Sequence, residues 1–204
     1  TFKQGDYPIT VKHQVVNRSA QNWQGQMFGQ LKRDNSEDPG KSSQGIFTLG
    51  TFLGGAWGTP EATYNKLKFS NFSDEKLSLE AKGAWVAMVQ HYFVSAWIPG
   101  NLKLTQADGQ PYAAKLESRQ STDKMNIIGF TSPVINVPAG TSMEVDAKLY
   151  AGPKIQSELK DLAVGLNQTV DYGWLWPIAK LLFIGLQFFH NIIGNWGWSI
   201  ILLT

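Results

Sequence analysis

Few side chains in this sequence could move a proton or hold a metal, and their placement argues against either. There are three histidines, His13, His91 and His190, far apart and without metal-ligand spacing, and there are no cysteines. A thiolate metal site, a disulfide frame and a cysteine nucleophile are therefore excluded, and no metal or cofactor is expected. His91, in "MVQHYFV", is the only histidine inside a strong strand pattern with aromatic neighbours. Acid–base catalysis would require a second histidine or a carboxylate beside it, and none recurs nearby in sequence, so a packing or surface role is expected. "GAWGTP" (Gly55 to Pro60) has the glycines of a phosphate loop but neither its lysine nor its spacing, and reads as a turn with close backbone approach. Trp85, Tyr92 and Trp97 are candidate cleft aromatics for a carbohydrate, although aromatics in such a run more often fill a core. No catalytic residue is expected.

The elements that would position these residues are strands. From Tyr7 to Tyr150, β-branched and aromatic residues alternate with polar ones, as in Tyr7, Ile9, Val11, His13 and Val15, then Trp23, Met27 and Leu31. Further strands are predicted at 46–53, 64–69, 77–81, 85–98 with a break near Gln90, 112–116, 125–130, 134–137 and 143–150. The polar stretch 32–45 reads as a loop. Many short strands without intervening helical periodicity predict antiparallel sheets packed as a sandwich. The period then lengthens. Pro153 reads as a first helical position, Ile155, Leu159 and Leu162 share one face, and Gly165 ends a short helix near 153–164. At 204 residues, 43% hydrophobic and 17% charged, one main domain is expected. A formal charge of +2, evenly spread, argues against nucleic acid as a partner.

The last 33 residues belong to a different solvent. Of the 34 charged residues, only Lys180 lies after Asp171. A helix starting near Pro177 and ending at Gly194 would gather Lys180, Gln187 and Asn191 into one narrow polar stripe within an apolar circumference. Trp174 and Trp176 precede it and Trp196 and Trp198 follow it, where indole rings collect at a bilayer surface. The expected membrane-interface residues are Trp174, Trp176, Lys180, Phe183, Phe188, Phe189, Trp196 and Trp198. A helix closing an open face of the sheet is the competing reading, but such a helix ordinarily keeps several charges on its wet side. "TFKQGDYPIT" has no signal-peptide pattern, and "GWSIILLT" stops after about eight apolar residues, against the roughly 20 of a bilayer span. The chain is expected to be cut at both ends, on the right just inside a transmembrane helix.

"KGAWVAMVQHYFVSAWIP", "YAGPKIQSEL" and "TVDYGWLWPIAKLLF…IIGNWGWSII" together resemble the large periplasmic domain of the YidC membrane protein insertases, of the Oxa superfamily, in Gram-negative bacteria. The resemblance covers essentially the whole chain, beginning partway into that domain. It implies a mainly β fold, a β-super-sandwich of mutarotase-like shape, followed by C-terminal helices, one of them amphipathic and interfacial. The implied organisation is a sandwich at 1–170, the interfacial helix at 171–194 and the start of a transmembrane helix at 195–204. It further implies location on the periplasmic side of the bacterial inner membrane, contact with inner-membrane lipid, nascent membrane proteins as substrates and the Sec translocase components SecYEG and SecDF as partners. The insertion groove and its arginine would lie beyond Thr204. A monomer is expected. The alternative is a membrane-tethered glycan-binding or mutarotase-like module.

Overall fold

The computed structural model describes residues 6–36, 52–104, 110–170 and 176–203, giving the backbone alone at 104 and 176–180. They fall into two units, one running through residue 170 and the other covering 176–203.

The first unit is built on an antiparallel sheet in the order β1 (Pro8–Val16), β13 (Ser142–Pro153), β8 (Phe93–Leu104), β7 (Trp85–Val89), β4 (Gly54–Gly58) and β5 (Asn65–Lys68), with the short β9 (Gln110–Pro111) also on β8. A second sheet has the order β3 (Phe28–Arg33), β11 (Asn126–Thr131), β10 (Ala114–Gln120) and β6 (Ser78–Ala81). β2 (Trp23–Gly25) and β12 (Ile135–Val137) form a small third one. The mainly β sandwich followed by helices is thus the observed architecture.

β7 shows why the large sheet needs cover on both sides. All five residues of "WVAMV" are buried. Val86 and Met88 join Phe72, Leu116, Ile128 and Phe130 between the sheets, while Trp85, Ala87 and Val89 join Ala96, Tyr150, Leu159 and Leu166 on the opposite face. A strand apolar on both faces loses its alternation and becomes a continuous apolar run. The outer face is closed by α1 (Gln156–Leu162), whose Leu159 is fully buried, and by the 3-10 turn Leu166–Thr169. Between them Gly165 takes φ +81°, and a Cβ there would run into the Thr63 carbonyl, so glycine is required. The Trp85 indole donates to the Val164 carbonyl at 2.8 Å, tying the sheet to this cap.

Four expectations need correction. "GAWGTP" is not a turn: Gly54–Gly58 form an interior strand between β7 and β5. The close approach foreseen there is nonetheless real, since a Cβ on Gly55 would come 2.7 Å from the Phe72 ring and one on Gly58 2.6 Å from the Trp85 indole. Glycine reads as a break because of its backbone freedom, but here it leaves room for rings from neighbouring elements. Pro153 does not start α1. It ends β13, opposite Phe93, and the extended Ile155 is the N-cap. Of the strand expected at 46–53, residues 46–51 lie outside the described residues, and Phe52 and Leu53 precede β4 without joining it. Within the loop expected at 32–45, β3 extends to Arg33, and 37–45 likewise lie outside.

Two consequences can be measured. Replacing Gly55 by Val forces extra methyls against Phe72, itself fully buried, and overpacking of this kind costs about 1–3 kcal/mol. The urea midpoint should fall with an unchanged slope; an unchanged midpoint would show that the intersheet space is not filled as described. The second concerns the Tyr150 hydroxyl, which donates to the Pro153 carbonyl at 2.6 Å and is pushed up to about 12, chiefly by burial and then by the charges of Glu158 and Tyr7. Burial also pushes up Tyr112, whose hydroxyl donates to the Asp146 carbonyl at 3.0 Å. The unfolded phenol ionises near pH 10, so both states hold the proton below that and stability is undiminished. Between pH 10 and 12 the unfolded chain loses its proton first, and each such group removes up to about 1.4 kcal/mol per pH unit. Tyr150→Phe should therefore flatten the alkaline loss of stability, and an identical slope in the variant would exclude Tyr150 as a contributor.

Candidate functional site

The second unit is a helical hairpin. α2 (Trp176–Ile193) ends at Gly194, whose φ of +70° lets its N–H reach back to the His190 carbonyl at 2.7 Å. This is the left-handed C-cap that a glycine supplies without strain. Asn195 then caps α3 (Trp196–Leu203), its Oδ1 accepting from the N–H groups of Gly197 at 2.8 Å and Trp198 at 3.4 Å. The six residues 190–195 thus close one helix and open the next.

The exposed surface of this hairpin is apolar. In α2, Leu181, Leu182, Phe183, Ile184, Phe188, Ile192 and Ile193 are exposed, Leu181 by 71% and Ile192 by 68%. Trp196, Trp198, Ile200, Ile201 and Leu202 add five more in α3. Gln187 and Asn191 are exposed among them, while Gly185, Leu186, Phe189 and His190 are half-buried on another side. At 100° per residue that half-buried side centres roughly 150° away from the Lys180–Gln187–Asn191 stripe. α3 packs on it, with Leu203 close above Gly185 and the Trp196 indole stacked on the His190 imidazole at 3.8 Å. The hairpin therefore has one polar edge and two apolar flanks, and α3 lies on the far side from the polar edge. Taking some twelve half-exposed large apolar side chains out of water releases on the order of 10 kcal/mol, since each is worth 1.5–3 when fully buried. Exposed apolar surface on that scale marks a membrane or partner contact. No helix among the described residues is long and apolar enough to cross a membrane.

The expected interface residues distribute as follows. Phe183 and Phe188 are exposed, Phe188 standing edge-on to the half-buried Phe189 at 5.7 Å. Phe183, one turn before Gln187, flanks the polar stripe instead of opposing it. Trp196 and Trp198 begin α3, Trp176 and Lys180 are α2 backbone positions, and Trp174 lies outside the described residues. The capping by Asn195 and the pairing of His190 with Trp196 were not foreseen, although the asparagine after a helix-ending glycine was a usable signal.

The three aromatics considered for a carbohydrate platform are not brought together. Trp85 is fully buried on the α1 face of the large sheet, near-parallel to Tyr64. Trp97, opposite Val86 in the ladder, faces the other way and packs against Phe130. Tyr92 is exposed at the β7–β8 turn, its ring edge-on to His91 at 4.1 Å. A cleft of about 450 Å³ does open on the sandwich, but His13, Val15, Trp23, Gln26, Met27, Phe28, Ile135 and Val145 line it. Among the described residues no group of three or more His, Asp or Glu side chains could hold a metal ion.

A β-sandwich followed by a helical hairpin with an exposed apolar surface is the class of module these residues build, and comparison with known proteins gives it a family. The family model described as the YidC periplasmic domain matches residues 1–184. The chain belongs to the YidC periplasmic domain family. It is 47% identical over its whole length to the membrane protein insertase YidC of Pseudomonas entomophila strain L48 and 45% identical, over 208 aligned residues, to that of Azotobacter vinelandii strain DJ. The corresponding protein of Stutzerimonas stutzeri strain A1501 is 45% identical. The chain covers 34–35% of these relatives, about a third of their length.

With Trp85, Tyr92 and Trp97 on different faces, the purified chain should not accelerate anomer interconversion of common hexoses above buffer, and His91→Ala should leave that baseline unchanged. A rate that rises with protein and falls in the His91 variant would contradict this disposition of the aromatics.

Proposed function

We propose that this chain is the periplasmic portion of a membrane protein insertase, which assists the insertion and folding of inner-membrane proteins, and that its hairpin seats it on the outer leaflet of the bacterial inner membrane. The observation that carries this reading is the apolar circumference of α2, with a single polar edge, on a chain matched end to end by relatives named as insertases. In this arrangement Gln187, Asn191 and Lys180 meet water and headgroups. The exposed apolar residues of the two flanks enter the acyl boundary, 5–10 Å deep as for other interfacial helices. Lys180 has a stem long enough to reach the headgroups from slightly below them.

Insertion breaks no covalent bond, so we assign this portion no catalytic residue and no cofactor. Its part is to hold the following membrane-spanning region at a fixed height and orientation. Nascent membrane proteins are the substrates of the whole protein, and SecYEG and SecDF its partners on the same reading. The boundaries that fit are a sandwich to about residue 170, the interfacial helix to 194, and the first residues of a membrane-spanning helix from 195.

The test is partition of the purified chain onto vesicles of phosphatidylethanolamine and phosphatidylglycerol. Phe183→Asp together with Phe188→Asp places two charges in the acyl boundary and removes two rings, so the partition coefficient should fall at least tenfold, about 1.4 kcal/mol or more. Lys180→Gln should change it less than about threefold. If the double variant binds vesicles as well as the parent chain, the hairpin does not enter the bilayer.

A further inference from the structure

The junction between α2 and α3 contains an interaction that neither cap requires. The His190 imidazole and the Trp196 indole lie 3.8 Å apart with only 7° between their planes, a stacked pair bridging the Gly194–Asn195 turn. His190 Nδ1 is buried and makes no hydrogen bond, so the ring is held by the stack and not by a polar partner. Gly194 makes the turn at φ +70°, with nothing within 4 Å of the space a Cβ would occupy, so no side chain packs against the turn from that side. A second contact lies further along the same antiparallel pair. A Cβ on Gly185 would come 3.0 Å from Leu203 Cδ1, and Ser199, between Trp196 and Leu203 on that face of α3, is fully buried with its hydroxyl donating to the Asn195 carbonyl at 2.7 Å. Small residues at these positions let the helices approach closely, which is how helices associate where apolar lipid removes the hydrophobic drive.

We propose that His190 is a positioning residue: stacked on Trp196, it locks the turn so that α3 folds back beneath α2, on the side away from the polar stripe. The stack sets where the chain departs from the interface toward the bilayer interior. Without it, the caps at Gly194 and Asn195 would still end α2 and start α3, but only the Gly185–Leu203 contact further along would hold α3 against α2. This inference rests on the membrane-interface reading above.

The chain has no cysteine, so Leu181→Cys and Leu202→Cys, both at exposed positions, can be spin-labelled without background. Electron–electron distances would be measured in phosphatidylethanolamine–phosphatidylglycerol nanodiscs. A straight continuation of α2 into α3 would separate the two backbones by about 30 Å at 1.5 Å per residue. The folded-back hairpin gives a distribution below about 20 Å, as for helices packed 8–10 Å apart. His190→Ala should broaden it toward the longer distance, with far-UV circular dichroism unchanged, and His190→Phe, which keeps a stacking ring, should restore the short one. A long distance in the parent chain, a short one in His190→Ala, or a His190→Phe variant that behaves like alanine would each overturn the proposal. Vesicle flotation of the same samples separates the two claims: a chain that does not float contradicts the functional reading, whereas one that floats and keeps its short distance in His190→Ala contradicts this inference alone.

Discussion

Eighteen residues of helix with a single charged side chain have to leave water somewhere. That constraint organises the two carboxy-terminal helices. A hydrated α2 would keep about half of each large apolar side chain against solvent, at a penalty comparable to the entire stability of an average domain. A bilayer interface removes the penalty without asking the helix to span anything, because it is wet on one side and apolar on the other. On the proposed reading the narrow polar edge is a compass: with Gln187 and Asn191 toward water, the half-buried side on which α3 packs faces the membrane interior.

The sandwich solves the opposite problem with ordinary means. Its large sheet is apolar on both faces at β7, so it needs the second sheet on one side and α1 with the following turn on the other. Glycines in β4 admit Phe72 and Trp85 to the two spaces, and the Trp85 indole bonds to the cap. Both layers therefore lock onto one strand pair. The result is a sandwich whose core is closed by its own residues, followed by a hairpin whose apolar surface is not.

Much of this was legible in the sequence because burial on one face enforces alternation. β1, β5 to β8 and β10 to β13 fall where period two placed them, and the break between β7 and β8 falls at Gln90–Tyr92 as expected. β4 was not legible, because glycine signals a turn locally and reveals its other use only when the rings it accommodates arrive from distant positions. Pro153 was ambiguous in a similar way, being as acceptable at a strand end as at a helix start. The Gly194 cap was readable from one residue. The His190–Trp196 stack was not, since no periodicity connects two residues across a turn.

The central claim is that α2 lies in the interface with its polar stripe toward water. A nitroxide scan over positions 181 to 193 of the membrane-bound chain, recording collision with oxygen and with a water-soluble nickel chelate, reads orientation and depth residue by residue. The account predicts a helical period of about 3.6 residues, with nickel accessibility maximal at 187 and 191 and oxygen accessibility maximal at 181, 188 and 192. Uniform nickel accessibility around the helix, or low accessibility to both agents at 181, 188 and 192, would contradict it and place the helix in water or inside folded protein instead.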